Sequence, residues 1–368
     1  MTTVAPEQQP MTPGSPDLGP HGREADTLGL TRLPDLASAA LGGTVVFASD
    51  ELFADARNLV SATPAAHDPG AYGPRGKVYD GWETRRRREA GSDFVVVRLA
   101  APAIVRAVNI DTSFFTGNFP PHASVEAATI MGYPSPAEVL AAEWTPLLGR
   151  TQLHPDTGNI HPVTTADRLA THVRLTIYPD GGVARLRVFG EVIPDPRRLG
   201  GRVNLAASLN GASVSGCSNM FYSSPLNALA PGRATVMSDG WETARRRDDG
   251  NDWLAVQLAA PGVLHNAVID TTRFVGNAPG WARLTDAETG AELLPRTRLQ
   301  PDTEHHFRLV PGNPVSHVRL DIYPDGGISR FRLNGTIPTR QRSAMIGRWE
   351  LLLPPLQLAA VDRSEYFT

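Results

Sequence analysis

The chain contains one long pattern twice. The segment DGWETRRRREAGSDF at 80–94 returns as DGWETARRRDDGNDW at 239–253, with 10 of 15 positions identical. Two further blocks return in the same order: NIDTSFFTGNFP (109–120) as VIDTTRFVGNAP (268–279), and VRLTIYPDGGVARLR (173–187) as VRLDIYPDGGISRFR (318–332). Matching blocks lie 145 to 159 positions apart, far more than the period of a solenoid repeat. Each copy is therefore predicted to be a whole domain.

The matching blocks and the composition between them divide the chain. We predict a first repeat over 31–194, a polar Pro/Gly linker over 195–203 and a second repeat over 204–338. Residues 1–30 are rich in Pro, Gly, Gln and Ser and predict a disordered tail. Residues 339–368 include WELLLPPLQL, whose two prolines cannot continue a helix, so we expect a C-terminal extended arm.

Within each copy the local pattern is that of β-strands. Short, mostly alternating β-branched runs bounded by Gly, Pro and Asp occur at 93–99, 104–112, 172–178 and 184–192, and the second copy repeats them. Helical periodicity is limited to 135–143 and 33–40. With 34 glycines and 32 prolines, the chain is predicted to be all-β, with two tandem homologous jelly-roll-like β-sandwich domains of the galactose-binding-domain-like kind.

Charge and composition exclude several classes of function. Lys and Arg number 35 against 38 Asp and Glu, so no basic surface predicts nucleic acid as a partner. No apolar run is long enough to span a membrane, and the N-terminus lacks the features of a secretion signal, so we expect a cytoplasmic protein without a membrane partner. The single cysteine, Cys217, excludes a disulfide framework and a cysteine-built zinc site.

Common cofactor and metal motifs are also missing. The sequence has no Walker loop, no GxGxxG after a strand, no GxSxG, no HExxH and no Asp-x-His-x-Asp. His305 and His306 form the one histidine doublet, and adjacent strand residues face opposite sides of a sheet. No cofactor is predicted, although the sequence does not exclude a divalent metal ion.

The DGWET block is the densest polar cluster in each copy. On a strand, Arg86 and Arg88 would face one way and Arg85 and Arg87 the other. Such guanidinium groups would bind a carboxylate or a planar urea-like group. The candidate substrate-binding arginines are Arg86, Arg87, Arg88, Arg245, Arg246 and Arg247, and the candidate catalytic acids beside them are Glu83 and Glu242. Ion pairs on a sheet surface are the alternative explanation.

The IDT block begins as a strand and ends in a loop. Asp111 follows an apolar run and should lie where its strand leaves the sheet, a usual place for site residues. Asp111 and Asp270 are candidate catalytic acids, and their neighbours Thr112, Asn118, Thr271 and Asn277 are candidate hydrogen-bonding partners of a polar ligand. Alternatively, Asp111 caps its own turn.

Two other groups of residues are weaker candidates. His161 and His305, with His154, could transfer protons near neutral pH. YPDGG is first of all a turn, in which Pro179 fixes φ and Asp180-Gly181 favours a hairpin.

Taken together, the blocks DGWETRRR, NIDTSFFTGNFP, LHPDT and YPDGG, with their second copies, resemble the allantoicase family. The resemblance covers about residues 31–338. It implies two related β-sandwich domains, assembly into a homo-oligomer, and hydrolysis of the small molecule allantoate to ureidoglycolate and urea in purine degradation. Arginines would then hold the substrate carboxylate, and an Asp, Glu or His would move protons.

Two other functions fit the same architecture. A non-catalytic tandem β-sandwich could bind a carbohydrate or another ligand, although such modules favour exposed aromatic residues and only 7% of this chain is aromatic. The third possibility is a ureidoglycolate lyase, which acts on a related substrate.

Overall fold

The computed structural model describes residues 30–367, and strands dominate both repeats. The predicted tail, apart from Leu30, lies outside the described residues. The first repeat contains eleven strands. They are β1 (Thr44–Ala48), β2 (Tyr72–Gly73), β3 (Gly76–Lys77), β4 (Trp82–Glu83), β5 (Asp93–Asp111), β6 (His122–Ala128), β7 (Thr145–Gln152), β8 (Gly158–Pro162), β9 (Ala170–Tyr178), β10 (Gly182–Val183) and β11 (Arg185–Val192).

The second repeat contains ten strands, which follow the same plan without the β2–β3 hairpin. They are β12 (Arg202–Asn204), β13 (Ser213–Cys217), β14 (Trp241–Glu242), β15 (Asp252–Asp270), β16 (Trp281–Asp286), β17 (Glu292–Arg298), β18 (Glu304–Arg308), β19 (Val315–Tyr323), β20 (Gly327–Ile328) and β21 (Arg330–Thr336).

Helices are few and short. The α-helices are α1 (Pro136–Leu140), α2 (Thr339–Leu352) and α3 (Pro355–Ala359). Single 3₁₀ turns occur at Leu30–Arg32, Ala56–Val60, Pro196–Arg198, Ser208–Asn210, Pro225–Leu229, Met237–Asp239 and Arg363–Phe367. Ser135 caps α1 in a capping box with Glu138. The predictions of all-β architecture and of a helix within 135–143 are confirmed.

One long strand joins the two sheets of each sandwich. The first half of β5 pairs with β1 and β9, and its second half pairs with β11 and β8, with a break in register between Arg98 and Ala103. β15 does the same in the second repeat. The sequence predicts two strands on either side of this break, whereas the structure has one strand of 19 residues that changes sheet.

The alternation of apolar residues fills a separate core in each repeat. Val95, Val97, Val108 and Ile110 of β5 are fully buried in the first core, together with Trp82. Trp241 holds the same place in the second core. The indole N–H of each of these two tryptophans donates to a backbone carbonyl, so neither buried ring is left with an unpaired polar group.

The C-terminal segment is not an extended arm, and that prediction is wrong. Helix α2 ends at Leu352, one residue before the two prolines, and α3 begins at Pro355. Proline disfavours helical geometry in the residue before it and is well tolerated at the start of a helix. α2 returns to the first repeat, where Trp349 is fully buried against Ile104, Leu169 and Ile193.

The second predicted helix, over 33–40, is also wrong. This segment is a series of turns that begins with an isolated bridge between Asp35 and Phe189. The Asp35 carboxylate accepts hydrogen bonds from the backbone N–H of Ala37 and of Val188, which ties the segment to β11. An aspartate that binds backbone donors in this way competes with helix formation.

Candidate active site

The three duplicated blocks meet at one end of each sandwich. In the first repeat, Glu83 of the DGWET block lies opposite Gly182 of the YPDGG block in the β4–β10 pair. Asn118, from the GN-x-P loop, accepts a hydrogen bond from the Gly182 N–H at 2.7 Å through its carbonyl. Its side-chain Nδ2 donates to Glu83 Oε1 at 2.8 Å. Residues far apart in sequence thus form one polar cluster.

Two glycines permit this close approach. Gly181 has φ of +140°, and a Cβ there would lie 2.7 Å from the Asn118 carbonyl oxygen. A Cβ on Gly182 would lie 2.0 Å from the Phe115 ring. A larger residue at either position would force the YPDGG turn away from the Asn118 loop.

The second repeat forms the same cluster. Asn277 Nδ2 donates to Glu242 Oε1 at 2.6 Å, and the Asn277 carbonyl accepts from the Gly327 N–H at 2.9 Å. We call these two arrangements the Glu–Asn pairs. Each places a half-buried carboxyl group, with one oxygen held by an amide, at the edge of a short strand.

Burial raises the pKa of the Glu83 carboxyl, and the hydrogen bond from Asn118 offsets this only in part. A carboxyl group that keeps its proton closer to neutral pH is suited to donate or accept a proton in a reaction. In both repeats the glutamate of the Glu–Asn pair is half-buried with one carboxyl oxygen held by an amide, and this geometry makes it the best acid–base candidate among the residues that the sequence singled out.

The arginines do not lie on a strand, so the predicted alternation of their faces is wrong. β4 ends at Glu83, and Arg85 to Arg88 follow in a loop. The Arg87 N–H donates to Asp180 at 2.7 Å, and its guanidinium pairs with the buried Asp93 at 2.8 Å. In the second repeat Arg246 makes the same contacts with Asp325 and Asp252. These contacts favour a role in holding the loop.

The neighbouring arginines point outward. Arg86, Arg88, Arg245 and Arg247 are exposed, and within residues 30–367 none of them makes a hydrogen bond or an ion pair. Their positive charge is available to an anion that approaches this end of the sandwich, although nothing fixes their direction.

The threonines and aspartates of the IDT block bind backbone groups. Thr112 and Thr271 are fully buried, and their hydroxyls donate to the carbonyls of His154 and Gln300, in the loops before β8 and β18. Asp111 ends β5 as predicted, and its carboxylate accepts from Ser113 N at 2.9 Å; Asp270 binds Thr272 N in the same way. These contacts favour the capping interpretation over a catalytic one.

His305 has both ring nitrogens occupied. Nε2 accepts from the Gln300 N–H at 2.8 Å, and Nδ1 donates to the Ile269 carbonyl at 3.0 Å. At the matching position of the first repeat, Asn159 accepts from the His154 N–H and donates to the Ile110 carbonyl. An amide and a neutral imidazole thus bridge the same two backbone groups, which favours a structural role for His305.

We expect His305→Asn to keep stability within about 1 kcal/mol and to leave turnover unchanged, because asparagine makes both bonds in the first repeat. His305→Ala, which leaves both backbone groups without a partner, should cost roughly 1–3 kcal/mol. Thermal unfolding and steady-state kinetics measure both effects. A tenfold or larger loss of kcat in a well-folded His305→Asn variant would restore the catalytic hypothesis.

His161 lies elsewhere on the first sandwich. It is opposite Val108 on β8, and its Nε2 is buried with no hydrogen-bond partner among residues 30–367. Burial, with the nearby His154, lowers its pKa, so the ring is neutral at neutral pH. No hydrogen bond in the described part of the chain joins it to Glu83 or Asn118, and the second repeat has Phe307 at this position.

Two cavities stand out in the described part of the chain. One, of about 340 Å³, lies between the repeats and helix α2, and its charged side chains Arg106, Glu191 and Arg348 already pair with one another. The other, of about 580 Å³, adjoins a Glu–Asn pair, and we call it the Glu242 cleft. Its lining residues are Tyr222, Ser223, Val236, Met237, Ser238, Glu242 and Arg273.

The duplicated pattern is also found in known proteins. Residues 34–193 and 203–338 each match a family model that is described as "Allantoicase repeat". A "Probable allantoicase" of Nocardia farcinica is 54% identical over 84% of this chain and 96% of that protein. One of Streptomyces avermitilis is 44% identical over 91% and 96%. The chain belongs to the allantoicase family.

The family likeness extends to a solved structure. The crystal structure of allantoicase from Saccharomyces cerevisiae superposes with a TM-score of 0.73 and 34% identity, over 82% of this chain and 92% of that one. The identification of the chain as a member of the allantoicase family is thereby confirmed, as is the sandwich architecture of its two repeats.

In this member of the allantoicase family, no group of three or more His, Cys, Asp or Glu among residues 30–367 is arranged to hold a metal ion. The carboxylates at the cluster are instead occupied by arginines, amides and backbone N–H groups. Within the same residues, the helices are too short or too polar for a membrane span.

The sequence prediction missed Arg273, Ser223 and Asp302. Arg273 has φ of 74°, a left-handed conformation unusual for an arginine, and its N–H is held by the Asp302 carboxylate at 2.8 Å. In the first repeat Phe114, with φ of 69°, is held by Asp156. Comparison of the two copies position by position would have found Arg273, since it replaces Phe114 inside a matched block.

Proposed function

We propose that this protein hydrolyses allantoate to ureidoglycolate and urea. The observation that carries the proposal is the match of both repeats to the allantoicase repeat, together with a relative 54% identical over 84% of the chain that is named a probable allantoicase. The Glu–Asn pairs supply a carboxyl group suited to the acid–base chemistry that this reaction needs.

The atoms of the reaction define what the site must do. Allantoate carries one carboxylate and two ureido groups on a central carbon. The bond from that carbon to one ureido nitrogen breaks, and the oxygen of water bonds to the carbon in its place. One proton leaves the water and one reaches the departing nitrogen, so urea leaves as a neutral molecule and no oxidant or reductant is required.

In this proposal the glutamate of a Glu–Asn pair moves these protons. The asparagine Nδ2 fixes one carboxyl oxygen, and the other oxygen remains to act as acid or base on the bound substrate. Guanidinium groups at the same end of the sandwich hold the substrate carboxylate. The half-buried arginines Arg87 and Arg246 hold the loop in place through Asp93 and Asp252.

We further propose a cytoplasmic homo-oligomer with no nucleic-acid or membrane partner. The near balance of 35 basic and 38 acidic residues and the single cysteine support this environment. Leu351 and Leu356, on the C-terminal helices, are 84% and 83% exposed, and large exposed apolar side chains are typical of surfaces that associate. Light scattering of the purified protein tests the oligomeric state.

Incubation of the purified protein with allantoate tests the activity. We expect urea and ureidoglycolate to appear in equal amounts, at a rate proportional to protein concentration. Formation of urea only when ureidoglycolate is supplied would indicate a lyase instead. Failure to release urea from either substrate, with saturable binding of a sugar, would indicate a binding module.

A further inference from the structure

The two Glu–Asn pairs are alike, but the residues around them differ in kind. Four positions that line the Glu242 cleft are polar, and their counterparts in the first repeat are less polar or aromatic. The replacements, first repeat to second, are Phe53 to Tyr222, Ala54 to Ser223, Tyr79 to Ser238 and Phe114 to Arg273. Duplication supplies a comparison within one chain, in which the backbone is kept and the side chains have diverged.

In the first repeat, aromatic rings stand at positions that match the lining of the Glu242 cleft. His67 stacks on Phe114 with ring centroids 5.3 Å apart, and on Tyr79 at 6.0 Å. Tyr79 in turn stacks on Phe115 at 4.8 Å. His67 comes from the segment that the first repeat has in addition, just before its DGWET block. Phe114, at the position that matches Arg273, is thus part of a ring stack, and the ammonium of Lys77 lies over the Tyr79 ring of this stack, 5.5 Å from its centroid.

In the second repeat, the same space is open and two of its polar groups have no partner. The Arg273 guanidinium makes no hydrogen bond or ion pair within residues 30–367, and its backbone is held in the left-handed conformation by Asp302. Ser223 Oγ is buried and also has no partner in the described part of the chain. An exposed, unpaired cation on a held backbone and an unpaired hydroxyl, both beside a carboxyl group, match a ligand with a carboxylate and polar ureido groups.

We propose that substrate binds in the Glu242 cleft of the second repeat and not in its counterpart, with Arg273 holding the carboxylate and Ser223 a ureido group. This inference rests on the proposed function. The two repeats then differ in function. The second repeat binds and converts the substrate, and in the first repeat aromatic rings take the place of the polar lining.

Exchange of single residues between the repeats tests the assignment. Arg273→Phe introduces the residue that the first repeat carries in the same backbone conformation, so the variant should fold. We expect its KM for allantoate to rise roughly 10- to 100-fold, the usual loss for a charge-assisted hydrogen bond. Arg273→Lys should recover part of this loss. Phe114→Leu and Arg298→Met, a substitution of an exposed arginine of the same repeat, should leave KM unchanged.

A second substrate-like probe separates carboxylate binding from general damage. Methylenediurea has the two ureido groups of allantoate without the carboxylate. Its inhibition constant should stay within about twofold in Arg273→Phe, because the missing contact involves only the carboxylate. An equal loss for both compounds, or unchanged KM in Arg273→Phe with release of urea intact, would overturn the inference and leave the proposed function standing. If the wild-type protein releases no urea from allantoate, both fail.

Discussion

Arg330→Met is expected to lower the free energy of unfolding of the second repeat by about 3–5 kcal/mol. The Arg330 side chain is 5% exposed, and it donates to the carbonyls of Gly232, Asn227 and Asp239. Methionine would fill the volume but remove all of these donors. The Gly232 and Asn227 carbonyls would keep a second donor, from Arg332 and from the Ala230 N–H, and the Asp239 carbonyl would lose its charged one. Burial lowers the pKa of Arg330, because removal from water disfavours the charged form. The hydrogen bonds to the surrounding carbonyls offset this cost and stabilise the charged guanidinium.

The loss of stability in Arg330→Met should also disturb the Glu242 cleft. The carbonyls that Arg330 binds belong to the segment 227–239, which carries Val236, Met237 and Ser238 of the cleft lining. Arg185→Met makes the equivalent change in the first repeat, where Arg185 is 1% exposed and binds Asp80 and Thr63.

Both variants should unfold roughly 10 °C earlier than wild type, and only Arg330→Met should lose activity at 20 °C. Arg298→Met, in which an exposed arginine is replaced, provides the control and should change little. Calorimetry and urea release measure the two effects. A shift below about 3 °C for Arg330→Met would mean that water satisfies the carbonyls.

Most of the fold could be predicted because local pattern and core burial coincide. The runs at 93–99 and 172–178 mostly alternate with period 2, and one apolar set from each run is buried in the first core: Val95, Val97, Leu99, Val173, Leu175 and Ile177. The change of sheet within β5 could not be predicted, since both halves have the same alternation and only tertiary pairing distinguishes them. The C-terminal helix was missed because the prolines that follow it dominated the pattern.

The duplicated blocks indicate which residues lie together but not the role of each residue, and the roles stay a prediction. Glu83 and Asn118 bind each other, whereas Thr112 and His305, which are also polar residues of duplicated blocks, bind backbone groups. Hydrogen-bond partners decide between the two roles, and these partners come from loops that are distant in sequence. Arg273 was missed because the identical positions of the two copies defined the candidates, and Arg273 differs from Phe114, its counterpart.

Glu242→Gln is expected to lower kcat by a factor on the order of 10² to 10⁴, with KM little changed. Glutamine keeps the shape and the oxygen that accepts from Asn277 Nδ2, so the pair and the cleft should stay intact. What it removes is the ability to hold and release a proton. A rise confined to KM would instead make Glu242 a residue that only binds the substrate.

Glu83→Gln is the matched change in the first repeat. Glu83→Gln preserves the bond from Asn118, and if the first cleft is closed by its aromatic rings the variant should turn over allantoate at nearly the wild-type rate. The double variant should then behave as Glu242→Gln alone. Loss of about half the activity in each single variant would show two working sites, and loss in Glu83→Gln alone would place the chemistry in the first repeat. Steady-state kinetics on the three proteins, with thermal unfolding as the check on folding, distinguish these outcomes.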